Sequence, residues 1–342
     1  MAPKAIPKPE SILVIKTSSL GDIVCALPVL TQLRRLYPAA HIAWVVDHRF
    51  ADLLDGHPFL DQVYVFQHHR LRAGTGAWSS LLGFLSARRA LAQRLRERSW
   101  DVALDLQSLF KSAIILAASR ARVRIAAFSQ IRHLPVLLGA NRLVCAARGH
   151  AIERYLQIAA PLGVKADEVE FCLHVSEEAR RWAEDKLAGL PRPWLVVNPG
   201  SAVAAKRWPP EAFAEATGWL VGGRTVGGII VTGASQDRPA ADLIARAAGE
   251  AVANLAGQTS LSQLAAVLSL SDAMLTNDTG PMHMMAALGK PVVALFGPTN
   301  PALNGPWGRQ HVILEASDGR VASIAPAQAV RAVEEVLRRV RG

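Results

Sequence analysis

The chain has 342 residues, 51% of them hydrophobic, with a formal net charge of +10. That size and composition allow two domains with sizeable cores and exclude extensive disorder. No apolar run approaches the roughly 18 residues of a membrane span, and no apolar h-region precedes the first strand, so residues 1–10 are not expected to be a secretory signal.

In chain order, Ser11-Ile12-Leu13-Val14-Ile15 reads as a short buried strand. The polar turn Lys16-Thr17-Ser18-Ser19-Leu20-Gly21-Asp22 follows. Ile23, Leu27, Leu30 and Leu33 then recur at helical spacing until Tyr37-Pro38. Residues 42–46, 63–66 and 102–106 are further strands, with an amphipathic helix at 78–98. A helix at 112–118 and a strand at 123–127 come next. A second series begins near Leu195: strand 194–197 ends in Asn198-Pro199-Gly200-Ser201, and strand 229–232 ends in Gly233-Ala234-Ser235. Ser260-Leu261-Ser262-Gln263 has capping-box form before a helix at 264–270. Strand 273–276, the loop Asn277-Asp278-Thr279-Gly280-Pro281-Met282-His283, a helix to 288 and strand 292–296 close the series. Repeated strand–helix alternation, restarting after a polar stretch near 165–180, predicts two doubly wound α/β domains whose strand-end loops can face one another across a cleft.

Charge is uneven. Residues 1–175 hold 22 Lys/Arg against 13 Asp/Glu, a net of +9, and residues 176–342 hold 16 against 15, a net of +1. The basic half predicts an anionic partner, unless Arg88, Arg89, Arg94, Arg96 and Arg98 are simply a solvated helix face. No aromatic residue is interleaved among these arginines to stack bases, which disfavours nucleic acid. Cys25, Cys145 and Cys172 show no CxxC spacing and are expected to be buried free thiols.

The loop at 277–283 aims the N-terminus of a helix at one spot above the strand ends, a place to hold phosphate. Pro281 suits the first helical turn and Gly289 the stop. Asp278 is poorly placed for phosphate itself and suits hydroxyls or a neighbouring cation. Asp22 could cap the helix starting at Ile23 or act as a general base. Flanking Ser18, Ser19 and Gly21 permit close approach of a substrate. Lys206, in Lys206-Arg207-Trp208-Pro209, is either a solvated lysine or a cation on a diphosphate, with Ser201 able to donate to the same group. Asp237 is either an N-cap before Arg238-Pro239 or a ribose-hydroxyl acceptor. His283 braces the loop. A lone His near Asp278 makes no metal site. No GxSxG elbow, P-loop or GxGxxG fingerprint is present, which disfavours serine hydrolases, NTPases and nicotinamide enzymes.

Taken together, Ile15 through Asp22, Trp44-Val45-Val46-Asp47, Asp105-Leu106-Gln107-Ser108-Leu109-Phe110-Lys111-Ser112, His150-Ala151-Ile152-Glu153-Arg154, Lys206-Arg207-Trp208-Pro209 and Asn277 through Thr299 resemble the family 9 glycosyltransferases, the ADP-heptose:lipopolysaccharide heptosyltransferases. The opening motif is most similar to that of the type I enzymes. The resemblance implies a GT-B architecture: an acceptor-binding Rossmann-like domain at 1–170, a nucleotide-sugar-binding one at 176–322, and a C-terminal helix at 323–342 packing back on the first. It implies Asp22 as catalytic base. Donor contacts fall to Ser201, Lys206, Asp237, Asp278, Thr279, Gly280 and His283. Acceptor contacts fall to Ser18, Ser19, Gly21, Arg70, Arg72, Lys111 and Arg132. The implied reaction moves heptose from ADP-L-glycero-beta-D-manno-heptose to Kdo2-lipid A, needs no cofactor or metal, and takes place at the anionic cytoplasmic face of the inner membrane. The alternatives are a type II heptosyltransferase and, from another class, a non-catalytic polyanion or nucleic-acid binder. Departures from the family are Asp for Glu at Asp47 and Asp237, and Ser201-Ala202 where Thr-Thr is common.

Overall fold

A computed structural model of the protein describes residues 6–66, 89–128, 131–147 and 149–341. Two compact units divide the chain, Met1–His174 and Val175–Gly342.

The first unit carries strands β1 (Ser11–Ile15), β2 (His41–Asp47), β3 (Gln62–Phe66), β4 (Val102–Asp105), β5 (Val123–Ala127) and β6 (Arg142–Val144). They form one parallel sheet in the order β3-β2-β1-β4-β5-β6. Central β1 and β4 are buried along their whole length, as uninterrupted apolar runs in a parallel sheet require. Helix α1 (Leu20–Leu36) follows β1. Its start at Leu20 lies three residues before the position expected from the apolar spacing, so Asp22 sits within its first turn. Helices α2 (Phe110–Ser119) and α3 (Ala151–Ala159) follow β4 and β6, and α3 packs against α1. Leu13, Ile15, Val45, Tyr64, Trp100 and Leu116 share one core cluster. Of the helix expected at 78–98, residues 78–88 lie outside the described residues and residues 89–95 are helical.

The second unit repeats the plan. Strands β7 (Trp194–Asn198), β8 (Gly228–Val231), β9 (Val252–Asn254), β10 (Ala273–Asn277), β11 (Val292–Phe296) and β12 (Val312–Glu315) form a parallel sheet in the order β12-β11-β10-β7-β8-β9. Its helices are α4 (Glu177–Leu187), α5 (Pro210–Gly222), α6 (Arg238–Ala248), α7 (Leu261–Leu270), α8 (Gly280–Ala287), α9 (Pro301–Asn304) and α10 (Pro326–Arg341). The Ser260 hydroxyl accepts from the Gln263 amide, and the Gln263 carboxamide accepts from the Ser260 amide, so the expected capping box caps α7.

The resemblance puts the last helix on the first domain. In the structure α10 helps build the second unit: Ala329, Ala332, Val333, Val336 and Leu337 share a core cluster with Leu195, Trp208 and Phe213. Those five positions recur every three or four residues, one apolar stripe of a helix laid on a sheet.

Both sheets reverse direction once. In the first, β1 leads outward to β2 and β3, and the chain then returns to β4 on the other side of β1. In the second, β7 leads to β8 and β9 and the return is to β10. Such reversals open a crevice beyond the carboxyl ends of the two diverging strands, where doubly wound folds place their ligands. The residues beyond β1 and β4, and beyond β7 and β10, are therefore the ones to inspect.

Candidate functional site

In the first unit, the turn after β1 is held from both sides. Buried Trp44 donates its indole N–H to the Lys16 carbonyl at 3.0 Å. From the β4 side, Gln107 Oε1 accepts from the Thr17 amide (3.0 Å) and hydroxyl (2.6 Å), and its amide nitrogen donates to Ser18 Oγ at 3.2 Å. Gln107 is aimed by Asp105, whose Oδ1 accepts the amides of Gln107 and Ser108 at 2.9 and 2.8 Å. Asp105 is fully buried. Burial pushes its carboxyl up to about 6, against the Ser108 amide, the Ser112 hydroxyl, the Gln107 amide and the Lys16 charge.

Asp22 stands at the mouth of this turn. Its Oδ2 accepts from the Ser19 hydroxyl (2.6 Å) and the Ser19 amide (3.1 Å). Its Oδ1 accepts from the Tyr155 hydroxyl and lies 3.5 Å from Lys16 Nζ. Burial alone would raise the Asp22 pKa. The Lys16 ammonium, the Ser19 and Tyr155 hydroxyls and the Ser19 amide outweigh it and hold the carboxyl at about 2. Burial lowers the Lys16 pKa, opposed by Asp22 and Asp105. The Tyr155 hydroxyl is driven well up, by burial first and by the Asp22 charge next, so it stays protonated. The capping reading of Asp22 holds for the Ser19 amide, and its side chain remains 37% exposed.

In the second unit, Asn277 joins the loops after β7 and β10. Fully buried, it accepts from the Trp208 amide (3.0 Å) and donates to the Pro199 carbonyl (2.8 Å). Trp208 is anchored in turn by donating its indole N–H to the Ile324 carbonyl at 2.9 Å, with Phe213 edge-on at 4.8 Å. The neighbouring turn then delivers Lys206 Nζ to Asp278 Oδ2 at 2.6 Å, and Thr299 Oγ1 donates to the same oxygen at 2.7 Å. Asp278 therefore meets a neighbouring cation and a hydroxyl, both supplied by the protein. Thr279 is the N-cap of α8 and Gly280 its first residue, with His283 half-buried one turn on.

Asp237 does not cap the Arg238 helix as one reading of the sequence has it. Its Oδ2 accepts from the Ala234 amide at 2.9 Å, and Oδ1 lies 3.6 Å from Arg207 Nη2. This carboxylate comes so close to Gly200 that a Cβ there would fall 2.3 Å from Oδ2, so a side chain at position 200 would have to displace Asp237. Ser201, next to it, is buried, and its carbonyl accepts from Arg207 Nε at 2.7 Å.

Within each unit the expected residues largely gather. Ser18, Ser19, Gly21 and Asp22 share the β1 turn, and Lys111 lies exposed in the first turn of α2 beyond β4. Arg132 stands farther along, in the 3-10 segment Ile131–Leu138 after β5. Arg70 and Arg72 lie outside the described residues. Among the described residues no group of three His, Cys, Asp or Glu side chains could hold a metal ion. No described helix is long and apolar enough to cross a membrane. Cys25 is buried as expected, whereas Cys145 is exposed. Sequence reasoning did not single out Lys16, Gln107, Tyr155, Asn277 or Thr299 as site residues. Lys16 and Gln107 lie inside quoted motifs, and Tyr155 follows one directly.

Two Rossmann-like units in one chain, each with a polar turn at its switch point, make up the GT-B architecture of glycosyltransferases. The chain belongs to glycosyltransferase family 9 (heptosyltransferase), which matches residues 88–325. It is 31% identical over 322 residues to lipopolysaccharide heptosyltransferase 1 of Pseudomonas aeruginosa, covering 89% of this chain and 83% of that one. Lipopolysaccharide heptosyltransferase 2 of Salmonella typhimurium is 29% identical, with 90% and 88% covered. The structure of E. coli heptosyltransferase WaaC with ADP is 25% identical and superposes with a TM-score of 0.77 over 95% of this chain and 99% of that one. The same enzyme has also been solved with ADP-2-deoxy-2-fluoro heptose.

Proposed function

We propose that the protein is an inverting, metal-independent heptosyltransferase of lipopolysaccharide synthesis, moving heptose from ADP-L-glycero-beta-D-manno-heptose to a Kdo hydroxyl of Kdo2-lipid A. One observation carries this reading. Each switch point holds a lysine–aspartate pair, and the two pairs present opposite charges outward. In the first, Asp22 is 37% exposed and Lys16 only 5%. In the second, Lys206 is 22% exposed and Asp278 only 7%. A carboxylate offered to solvent suits an acceptor hydroxyl, and an ammonium offered beside a helix N-terminus suits a diphosphate.

The steps follow. Asp22 takes the proton from the acceptor hydroxyl as its oxygen bonds to the anomeric carbon. The bond from that carbon to the diphosphate breaks, and its electron pair leaves with ADP. Attack from the face opposite the leaving group inverts the anomeric configuration. Lys206, the Ser201 hydroxyl and the start of α8 meet the charge growing on the diphosphate. Asp237, Asp278 and His283 serve the donor's hydroxyls and brace the loop.

Type I is favoured over type II by the Ile15 to Asp22 motif. The relatives include both types at similar identity. An anionic lipid acceptor also suits the first unit. Residues 106–152 contain seven Lys/Arg and no Asp or Glu, and Leu134, Leu137 and Leu138 in that stretch are exposed. We place the enzyme on the anionic cytoplasmic face of the inner membrane, held by this segment.

The test is ADP release from ADP-heptose with Kdo2-lipid A, and with the same acceptor already bearing the first heptose. Turnover of the first alone identifies type I, and of the second alone type II. Asp22→Asn should lower kcat by about 10²–10⁴-fold with ADP binding unchanged, and EDTA should leave the wild-type rate intact. Retained turnover in Asp22→Asn refutes the base assignment.

A further inference from the structure

The groups packed behind Asp22 have no role in the reaction so far. The two carboxylate oxygens are held differently. Oδ1 faces inward, to the hydroxyl of buried Tyr155 and the ammonium of buried Lys16. Oδ2 faces the turn, and its partners are the amide and hydroxyl of Ser19, an exposed residue. Tyr155 comes from α3, 133 residues away, and Lys16 from the end of β1. Lys16 Nζ also lies 4.8 Å from the centroid of the Tyr155 ring, so it braces the ring and the carboxylate together.

We propose that Tyr155 is a positioning residue for glycosyl transfer: with Lys16 it pins Oδ1 of Asp22, so that Oδ2 is the oxygen that accepts the acceptor's proton, the acceptor hydroxyl taking the place of the Ser19 hydroxyl. The proposal rests on the base reading of Asp22. Its physical reason lies in what each oxygen can do after protonation. A proton on Oδ1 would compete with the Tyr155 donation and face the Lys16 ammonium, which has no lone pair to accept it. A proton on Oδ2 leaves Oδ1 a carbonyl-like acceptor, and the Tyr155 and Lys16 contacts survive. Of the four donors, only the Ser19 hydroxyl can turn away into solvent without leaving a buried group unpaired. An aspartate in the first turn of a helix has two free side-chain torsions. Anchoring one oxygen from a different helix removes that freedom before substrate arrives.

Tyr155 acts on Asp22 in two opposing ways. Its hydrogen bond weakens the carboxylate as a base, and its anchoring aims it. The charged and titratable groups around Asp22 are Lys16 after β1, Tyr155 on α3 and Cys25 on α1, with Asp105 at the end of β4 acting on Lys16 and Arg154 on α3 acting on Tyr155 and Cys25. Removing the Tyr155 hydroxyl takes away one stabilising donor, so the Asp22 pKa rises. Because the base must be ionised, the acidic limb of the kcat–pH profile then moves to higher pH.

The experiment is Tyr155→Phe, which keeps the buried ring, assayed by ADP release with whichever acceptor the wild type uses. Expected are a fall in kcat of about 10–100-fold, KM for donor and acceptor within about twofold of wild type, and the shifted acidic limb. Lys16→Met should shift the limb further, since its ammonium lowers the Asp22 pKa more than the Tyr155 hydroxyl does. A ¹³C carboxyl titration of Asp22, assigned with Asp22→Asn, reads the same shift without any acceptor. Wild-type or faster turnover in Tyr155→Phe overturns the proposal. So does a fall in kcat with the limb and the carboxyl titration unmoved, which would mark a packing role. If Asp22→Asn is dead while Tyr155→Phe matches wild type, only this inference fails. An active Asp22→Asn sinks both.

Discussion

Replacing Lys206 with Met separates a structural ion pair from a donor contact. Lys206 Nζ lies 2.6 Å from Asp278 Oδ2, and the carboxylate is buried with Thr299 as its other partner. Breaking a fully buried pair costs about 3–5 kcal/mol. Lys206 retains access to water, so a loss of about 2 kcal/mol in stability is expected here. Asp278→Asn in the Lys206→Met background removes the stranded charge, and about half of that loss should return. Affinity for ADP should behave differently. A charge-assisted hydrogen bond contributes about 1.5–3 kcal/mol, so Lys206→Met should weaken ADP binding by roughly 10–150-fold. The second substitution should restore none of it, and Asp278→Asn alone should leave ADP affinity near wild type. Calorimetric titration with ADP and chemical denaturation measure the two quantities on the same samples. Should ADP affinity follow stability through the set, falling in Lys206→Met and recovering in the double variant, the phosphate role is wrong and the lysine only neutralises Asp278.

Two more outcomes follow from the geometry. Asn277→Ala strands the Trp208 amide and the Pro199 carbonyl in a buried setting; at about 1–3 kcal/mol for each group, urea unfolding of the second unit should show a loss of roughly 3 kcal/mol, and a loss under about 1 kcal/mol would mean that water reaches the gap. The acid-free segment 106–152 with exposed Leu137 and Leu138 should carry the protein down with phosphatidylglycerol vesicles at low salt and release it as salt rises, with Leu137→Ser/Leu138→Ser weakening capture; equal binding to neutral vesicles would count against the charge.

The parts of this molecule visible in its sequence are those decided locally. Strand β1, its turn, and the whole passage from β10 through α8 to β11 announce themselves because a buried parallel strand is an unbroken apolar run and its stop is a Gly, Pro or Ser cluster. Edge strands β6, β9 and β12 escaped: they are three or four residues long and half-buried, too short for alternation to declare itself. The apolar spacing places the start of α1 three residues late, at Ile23, whereas the cap at Ser19 and Asp22 sets it at Leu20. The partners of Asp22 could not be read at all. Tyr155 meets it only because the order β3-β2-β1-β4-β5-β6 brings α3 beside α1, a fact of topology that no window of sequence contains.

The topology also explains why one building plan exposes opposite charges in its two units. Each unit places a lysine and an aspartate in contact beyond the strands that flank its reversal, and sequence position decides which member is sunk. In the first unit the lysine is the residue right after β1, still in line with the sheet, so its stem is buried; the aspartate, on the outer turn of α1, stays accessible. In the second the aspartate directly follows β10 and is the buried member, while the lysine arrives on a 3-10 turn from the loop after β7 and keeps its ammonium toward water. In the first unit the Lys16 ammonium, with the Ser19 and Tyr155 hydroxyls and the Ser19 amide, outweighs burial and holds the Asp22 carboxyl at about 2; in the second, Asp278 Oδ2 meets Lys206 Nζ at 2.6 Å. Exchanging which member lies nearest the strand end changes the charge presented to solvent without altering the fold. If this is how the two units divide the work, substitutions at Lys16 should register in the pH profile of kcat, and substitutions at Asp278 in stability and donor handling, with neither crossing over.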